Sequence, residues 1–192
     1  MPYLSTFPNA NMLREQEEMT PDYMRPNRLP VACIGEGFLT DAECNAIEAK
    51  LMPIVPYKAE HCGAMTRECG HVPELDPMLD FAKMINQIFW NYDLDLKPMS
   101  WLQTYYADGS YQKHMDYTPG GMRKLTAVLM LSEPDRYTGG DLELHFHPLV
   151  KVVPRTRGTI AVFQPWLLHE VTKVARGVRK TINMGFWGPP FR

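Results

Sequence analysis

The rhythm of apolar and polar positions changes partway along the chain. Residues 1–30 carry Pro2, Pro8, Pro21, Pro26 and Pro30 among polar neighbours, which removes backbone donors at short intervals and predicts an irregular N-terminal arm. From Thr40 to Leu51 the pattern is helical: Thr40 can cap, Glu43 stands at the capping-box position, and Ala42, Ala46, Ile47 and Leu51 suit one face. A second helix is expected from Pro77 to about Trp90, with Met78, Leu79, Phe81, Ile85, Ile88 and Phe89 as its apolar side. Beyond Ser100 the texture becomes strand-like, in WLQTYY, KLTAVLMLS, GDLELHF, LVKVVP, TIAVF, LLHEVTKV and RKTINMGFW. Turn signals separate these runs at Asp108-Gly109, Pro119-Gly120-Gly121, Gly139-Gly140, Gly158 and Gly177. Seven or eight short strands that follow helices, rather than alternating with them, predict a mainly β fold with N-terminal helices, its core a double-sheet jelly roll or barrel. No internal repeat interrupts this plan, so the expected division is an arm over 1–30 and one domain over 31–192, with helical support at 40–90 and the β core at 100–188.

Composition narrows the class. A chain of 192 residues and 22.1 kDa, 45% apolar and 22% charged, buries enough surface to fold as one unit without a metal or disulfide, so any metal it holds has a function. Its 20 basic and 22 acidic residues leave a net charge of −2 and a pI near 6.3, against a general electrostatic nucleic-acid binder. The first residues lack the pattern of a secretory signal and no apolar run reaches membrane-spanning length, so a cytoplasmic protein is expected. Cys33, Cys44, Cys62 and Cys69 are too sparse for a disulfide framework, and the spacing of the last two fits no common zinc pattern.

The chemistry concentrates in YYADGSYQKHMDYTPGG. His114 and Asp116, two apart, project from the same side of a strand, and His169 follows in QPWLLHEV. Two imidazoles and one carboxylate that leave coordination positions open are the ligand set of non-haem Fe(II) oxygenases. Arg179 comes ten residues after His169, beyond a Gly177 turn that can return the chain to the same mouth. An inward guanidinium needs an anion, and neither strand offers an obvious buried acid, so a ligand carboxylate is the fitting partner. The competing picture is a solvated basic cluster of Lys173, Arg176, Arg179 and Lys180. A second metal-capable pair, His145 and His147, is placed by periodicity on the outer polar face with Asp141 and Glu143, because Leu142, Leu144 and Phe146 make the apolar face.

The ordered set GFLTDAEC, NYDL, LQTYYADGSYQKHMD, RKLTAVLMLS, YTGGDLELHF, PRTRGTIAVF and HEVTKVARGVR resembles the Fe(II)/2-oxoglutarate-dependent dioxygenases, in their prolyl 4-hydroxylase-like and PKHD-type branch. That resemblance implies a double-stranded β-helix with His114, Asp116 and His169 as iron ligands and Arg179 gripping the distal carboxylate of 2-oxoglutarate. It assigns Tyr106 to the cosubstrate-binding tyrosine of the Y-x-x-G pattern, with Tyr105 as the substitute. Two departures stand out: Leu129 occupies a position where some relatives carry a second tyrosine, leaving Arg179 to act with Tyr106 or Thr181, and the tryptophan expected after the basic residue is displaced to Trp187. The implied reaction consumes O2 and 2-oxoglutarate, with ascorbate as a reductant, releases succinate and CO2, and hydroxylates an unactivated C–H bond. A prolyl group, in a peptide or as the free amino acid, is the leading substrate. The carboxylate of Asp116 favours hydroxylation over halogenation. The stretch from Tyr57 to Val72, with Thr66 and Arg67, and Trp187 are the expected substrate contacts. Alternatives are a dioxygenase of another small molecule or a nucleobase, and a jelly-roll binding or sensor protein without turnover.

Overall fold

The computed structural model describes residues 30–51, 57–58, 63–69, 72–94, 98–117 and 122–190. Strand β1 (Ala32–Gly35) is followed by helix α1 (Asp41–Leu51), β2 (Tyr57–Lys58), β3 (Met65–Cys69), a 3₁₀ turn at Pro73–Leu75 and helix α2 (Asp76–Ile85), which ends in a π-helical turn, Asn86–Trp90. The β core continues with β4 (Met99–Tyr105), β5 (Tyr111–His114), β6 (Arg123–Met130), β7 (Tyr137–Gly139), β8 (Leu142–Phe146) and β9 (Leu149–Val152). It closes with β10 (Ile160–Phe163), β11 (Leu168–Val171), β12 (Val174–Gly177) and β13 (Arg179–Trp187). The irregular arm expected over 1–30 lies, apart from Pro30, outside the described residues, as do Cys62 and the Pro119-Gly120-Gly121 turn.

Thr40 and Glu43 form the expected capping box: Thr40 N donates to Glu43 Oε2 at 2.8 Å and Glu43 N to Thr40 Oγ1 at 3.3 Å. The buried face of α1 is Cys44, Ile47 and Leu51, whereas Ala42 and Ala46 are exposed, a correction to the expected stripe. Thr40→Ala is expected to lower unfolding stability by about 1 kcal/mol, read by urea denaturation with an unchanged slope. Helix α2 buries Met78, Phe81, Ala82 and Ile85 as its period requires. Its π-helical turn then widens the spiral: Asn91 N bonds to Asn86 O, Trp90 turns inward, and Ile88, expected in the core, is left 52% exposed.

Among the described residues the strands make a seven-stranded sheet, β1-β10-β6-β13-β4-β3-β2, facing a four-stranded sheet, β5-β11-β8-β9, with a short β12-β7 pair beside them. This is the predicted jelly roll. The segment expected as one strand, LLHEVTKV, divides into β11 and β12, because Thr172 and Lys173 bend the chain from β8 to pair with β7. The large sheet has two buried faces. One, with Leu102, Leu125, Leu129, Ile182 and Phe186, packs on α1 and α2; the other, with Tyr105, Val128, Met130 and Phe163, faces the small sheet. Strict alternation along β13 therefore sends Ile182, Met184 and Phe186 to the helices, and Arg179 and Thr181 to the space between the sheets.

Candidate active site

Strand pairing assembles the metal-capable group. His114, at the end of β5, lies directly across from His169 on β11, and the chain turns after β5 so that Asp116 closes the set. His114 Nε2 is 3.8 Å from Asp116 Oδ1 and His169 Nε2 is 3.8 Å from Oδ2, with the ligand atoms of all three within 4.8 Å of one another. Each imidazole has a defined tautomer. His114 Nδ1 lies 2.7 Å from the Gln112 carbonyl and His169 Nδ1 2.8 Å from that of Leu167; a carbonyl only accepts, so both Nδ1 atoms carry the proton and both Nε2 lone pairs face Asp116. Tyr111 stacks on His114 at 3.9 Å and Phe163 meets His169 edge-on at 4.8 Å, which fixes the rings from behind.

Asp116 is held by residues that sequence reasoning missed. Arg123 Nη1 lies 3.2 Å from Oδ1, and the Thr126 hydroxyl donates to Oδ2. Burial opposes charge on this carboxyl, yet Arg123, His169, Thr126 and His114 together outweigh it and hold the group below the usual carboxylate range. Burial pushes the His169 imidazole down, only partly offset by Asp116. Both directions keep the ligand atoms unprotonated near neutrality, the state a metal requires. Arg123 reaches Asp116 because the β6–β13 register slips between Phe186 and Trp187, which pairs Trp187 with Arg123 and skips Lys124. The Arg123 guanidinium then lies against both Trp101 and Trp187, 5.9 and 5.6 Å from their ring centres, which themselves meet edge-on at 6.0 Å. Gly185 makes room for this: a Cβ there would sit 2.4 Å from the Trp187 ring. Gly185→Ala is expected to lift the Trp187 indole off the sheet and weaken metal retention; wild-type Trp fluorescence and metal affinity in that variant would argue against the clamp.

The second half of the site is Arg179, 1% exposed and among the most deeply buried side chains. Its Nη2 touches Met130 Sδ at 3.6 Å, Tyr137 lies beside the same guanidinium, and the Tyr105 ring lies under it at 5.1 Å. Among the described residues Nε and Nη1 have no hydrogen-bond partner. The solvated basic cluster considered for it is thus replaced by an inward charge awaiting an anion. Tyr106, the preferred tyrosine at the sequence level, is corrected: it is 55% exposed, while Tyr105 is fully buried and paired in register with Arg179. The physical reason is that β4 ends at Tyr105, so Tyr106 begins the Asp108-Gly109 turn and its side chain leaves the barrel. Leu129 packs on the helix side, so no residue at its position reaches Arg179, and Tyr137 from YTGG stands there instead.

Thr181 is buried on the Arg179 side and donates to Asn183 Oδ1 at 3.2 Å. Gln103 Oε1 accepts from both Asn183 Nδ2 at 3.0 Å and the Tyr105 hydroxyl at 2.7 Å. Of the expected substrate contacts, Trp187 borders a cavity of about 300 Å³ lined also by Asp93, Leu94, Met122, Gly188 and Pro189. Thr66 and Arg67 pair with Gln103 and Leu102 in the backbone of the sheet, and their side chains lie outside the described residues. His145 bonds to Glu170 at 3.0 Å beside Glu143 and Lys113, an ion network on the outer face, and His147 is exposed beyond the end of β8, as its polar-face placement required. Gln103, Arg123, Thr126, Tyr137 and Asn183 escaped the sequence analysis; only the alternation of Gln103, Thr126 and Asn183 with core positions on β4, β6 and β13 hinted at any of them.

A jelly roll with a His-Asp-His cluster and a buried, anion-seeking arginine defines a metal-dependent class that binds a carboxylate. Two partnerless guanidinium donors and two oriented imidazoles with one carboxylate fit 2-oxoglutarate and Fe(II), respectively. Residues 100–187 match the 2OG-Fe(II) oxygenase superfamily. A PKHD-type hydroxylase of Burkholderia ambifaria is 31% identical over 140 residues, 67% of this chain and 56% of the relative. One from Acidovorax ebreus is 36% identical over 91 residues, 43% of this chain and 39% of the relative. The chain thus spans about half the length of these curated relatives or less. Among solved structures, a prolyl-4-hydroxylase of Pseudomonas putida superposes with a TM-score of 0.70 at 19% identity, covering 83% of this chain and 94% of that one. A Trichoplax adhaerens prolyl hydroxylase in complex with a hypoxia inducible factor peptide fragment gives 0.66 at 16% identity, covering 93% of both chains. Over residues 100–187 the similarity is to the 2OG-Fe(II) oxygenase superfamily, and the relatives similar in sequence are PKHD-type hydroxylases. That superfamily uses Fe(II), 2-oxoglutarate and O2, and the His114-Asp116-His169 cluster fits the metal. No helix among the described residues is long and apolar enough to cross a membrane.

Proposed function

We propose that the protein hydroxylates an unactivated C–H bond at the expense of 2-oxoglutarate and O2, releasing succinate and CO2, and that its substrate is a prolyl group in a peptide or the free amino acid. The observation that carries this reading is the pairing, inside one barrel, of the His114-Asp116-His169 cluster with the partnerless Nε and Nη1 of Arg179. Bound Fe(II) and 2-oxoglutarate would supply the oxidising power. The chain's own residues position and exclude. His114 and His169 present Nε2 because their Nδ1 protons are committed to backbone carbonyls, and Arg123 and Thr126 keep the Asp116 carboxylate charged and aimed. Arg179, with Tyr105, Tyr137 and Thr181, takes the distal carboxylate in a pocket closed to water.

Support for the substrate is of two kinds. The proteins similar in sequence are named PKHD-type hydroxylases, and those similar in fold are named prolyl hydroxylases. The site's rim also carries exposed apolar side chains, Met115, Tyr117, Trp166 and Leu168, next to the ligands in sequence, and Trp187 lines the adjoining cavity. A neutral ring flanked by peptide suits such a surface.

Anaerobic titration of Fe(II) with 2-oxoglutarate, following the visible absorbance of the chelate, tests the cosubstrate site. Succinate release over a panel of free proline and proline-containing peptides then tests the substrate. Saturable colour with substrate-stimulated succinate is expected; colour with no stimulation by any prolyl compound discards the substrate, and a folded, metal-loaded protein without colour favours a binding protein lacking turnover.

A further inference from the structure

Away from the His114-Asp116-His169 cluster, the outer face of the small sheet holds a second group of metal-ligating side chains. Glu143 and His145 alternate onto that face of β8, and β11 sets Glu170 directly across from Glu143. His145 Nε2 lies 3.0 Å from Glu170 Oε1 and 3.7 Å from Glu143 Oε2, and the ligand atoms of all three are within 4.8 Å of one another. All three side chains are partly buried. His147, the other imidazole of the sequence pair, is exposed past the end of β8 and takes no part. Strand pairing, rather than the two neighbouring histidines, therefore builds the group.

Two observations set it apart from an ordinary surface ion network. Glu143 and Glu170 are like charges directly opposed across an antiparallel pair, which destabilises the sheet and which a cation between them relieves. The cation at hand, Lys113, reaches only Glu170, 3.2 Å from the same Oε1 that faces His145, and its side chain is 45% exposed. Among the described residues Glu143 has no lysine or arginine within ion-pair distance. The second observation is spacing. A four-coordinate ion with bonds of about 2.0–2.2 Å sets its ligand atoms roughly 3.3–3.6 Å apart. The two separations from His145 Nε2, 3.0 and 3.7 Å, straddle that range, so small side-chain shifts close the three ligands on one ion.

We propose that Glu143, His145 and Glu170 form a second metal site, which takes a divalent ion of the zinc type and leaves its fourth position to water. One imidazole and two carboxylates are a nitrogen and oxygen donor set that suits Zn2+. The ion carries two charges into the space between two opposed carboxylates, where Lys113 supplies one charge to one of them. Its place in the fold gives it a structural role. It joins β8 to β11 on the outer face, while His169, next to Glu170 on β11, points to the inner face, so the ion braces the strand that carries a member of the first cluster without entering that cluster. Binding to the folded chain alone stabilises it in proportion to the free ion. The site is independent of the proposed hydroxylation, and neither depends on the other.

The test counts zinc bound to the full chain at equilibrium with free Zn2+ buffered in the micromolar range. Wild type is expected to hold one equivalent more than His145→Gln and one more than Glu143→Gln, and both variants should keep the wild-type Fe(II)–2-oxoglutarate absorbance, because neither residue belongs to the first cluster. Lys113→Met removes the competing ammonium and is expected to tighten the extra equivalent roughly tenfold, the scale of screened repulsion between a single and a double charge a few ångströms apart. Equal zinc content in wild type, His145→Gln and Glu143→Gln overturns the site and leaves an ion network only. Zinc lost together with the iron chelate absorbance assigns that equivalent to the first cluster, and also overturns it. Unchanged affinity in Lys113→Met places the ion away from Glu170 and overturns the three-ligand set.

Discussion

Arg179→Met is expected to make the ligand-free protein no less stable than wild type while lowering its affinity for 2-oxoglutarate about a hundredfold. The two halves follow from one observation. Arg179 is buried with Nε and Nη1 unpaired, and burial pushes its guanidinium below the ordinary value, so without an anion the charge opposes folding. Met fills a similar volume against Met130 and Val174 and removes that penalty; a gain of about 1–3 kcal/mol is expected from comparable replacements. Binding behaves in the opposite way. Two charge-assisted bonds to a carboxylate are together worth about 3 kcal/mol, which is roughly a hundredfold in dissociation constant. Thermal melts with and without 2-oxoglutarate should therefore show a raised melting temperature in the variant and little further rise on adding ligand. A destabilised variant that still binds 2-oxoglutarate would make Arg179 a structural residue and remove the anion site.

Gly140 gives the same conclusion a geometric form. With φ of +66°, it passes so close to Arg179 that a Cβ would stand 2.9 Å from Cδ and 2.8 Å from Val174 Cγ2. Gly140→Ala is thus expected to push the arginine stem and weaken 2-oxoglutarate binding with less effect on Fe(II) alone, readable by the same titration with and without the cosubstrate.

What the sequence made legible was whatever depends on period and spacing. The two-residue spacing of His114 and Asp116 and the ten-residue spacing of His169 and Arg179 marked these residues as candidates, although Asp116 lies just beyond the end of β5 and β12 intervenes between His169 and Arg179. Registers that depend on where a strand stops were not legible. Tyr105 and Tyr106 differ by one residue, and the choice was made by the end of β4 rather than by either side chain. Ile88 fits an α-helical stripe as well as Phe81 does; the π-helical turn at Asn86 removed it from the core, and single-residue periodicity carries no sign of such a turn. Arg123 was hidden for the same kind of reason. On a regular strand it alternates away from Thr126, and only the slip at Lys124 brings both onto Asp116.

That slip makes the Asp116 site a test of chemistry and stability together. Asp116→Ala is expected to abolish substrate-dependent succinate formation, losing well over the roughly hundredfold that removal of an outer-shell partner alone causes. It should also destabilise the protein, since it strands the Arg123 guanidinium against Trp101 and Trp187 without its carboxylate; removing one member of a buried pair costs about 3–5 kcal/mol. Arg123→Met leaves the ligand in place but unaimed, so metal affinity should fall roughly 10- to 100-fold while the fold survives. The double variant separates the two roles. Joining Arg123→Met to Asp116→Ala removes the stranded charge and should recover much of the lost stability, yet no activity, because the third ligand is still missing. Equal stability in the single and double variants would show that Arg123 does not depend on Asp116, and wild-type turnover in Asp116→Ala would take the carboxylate out of the ligand set altogether.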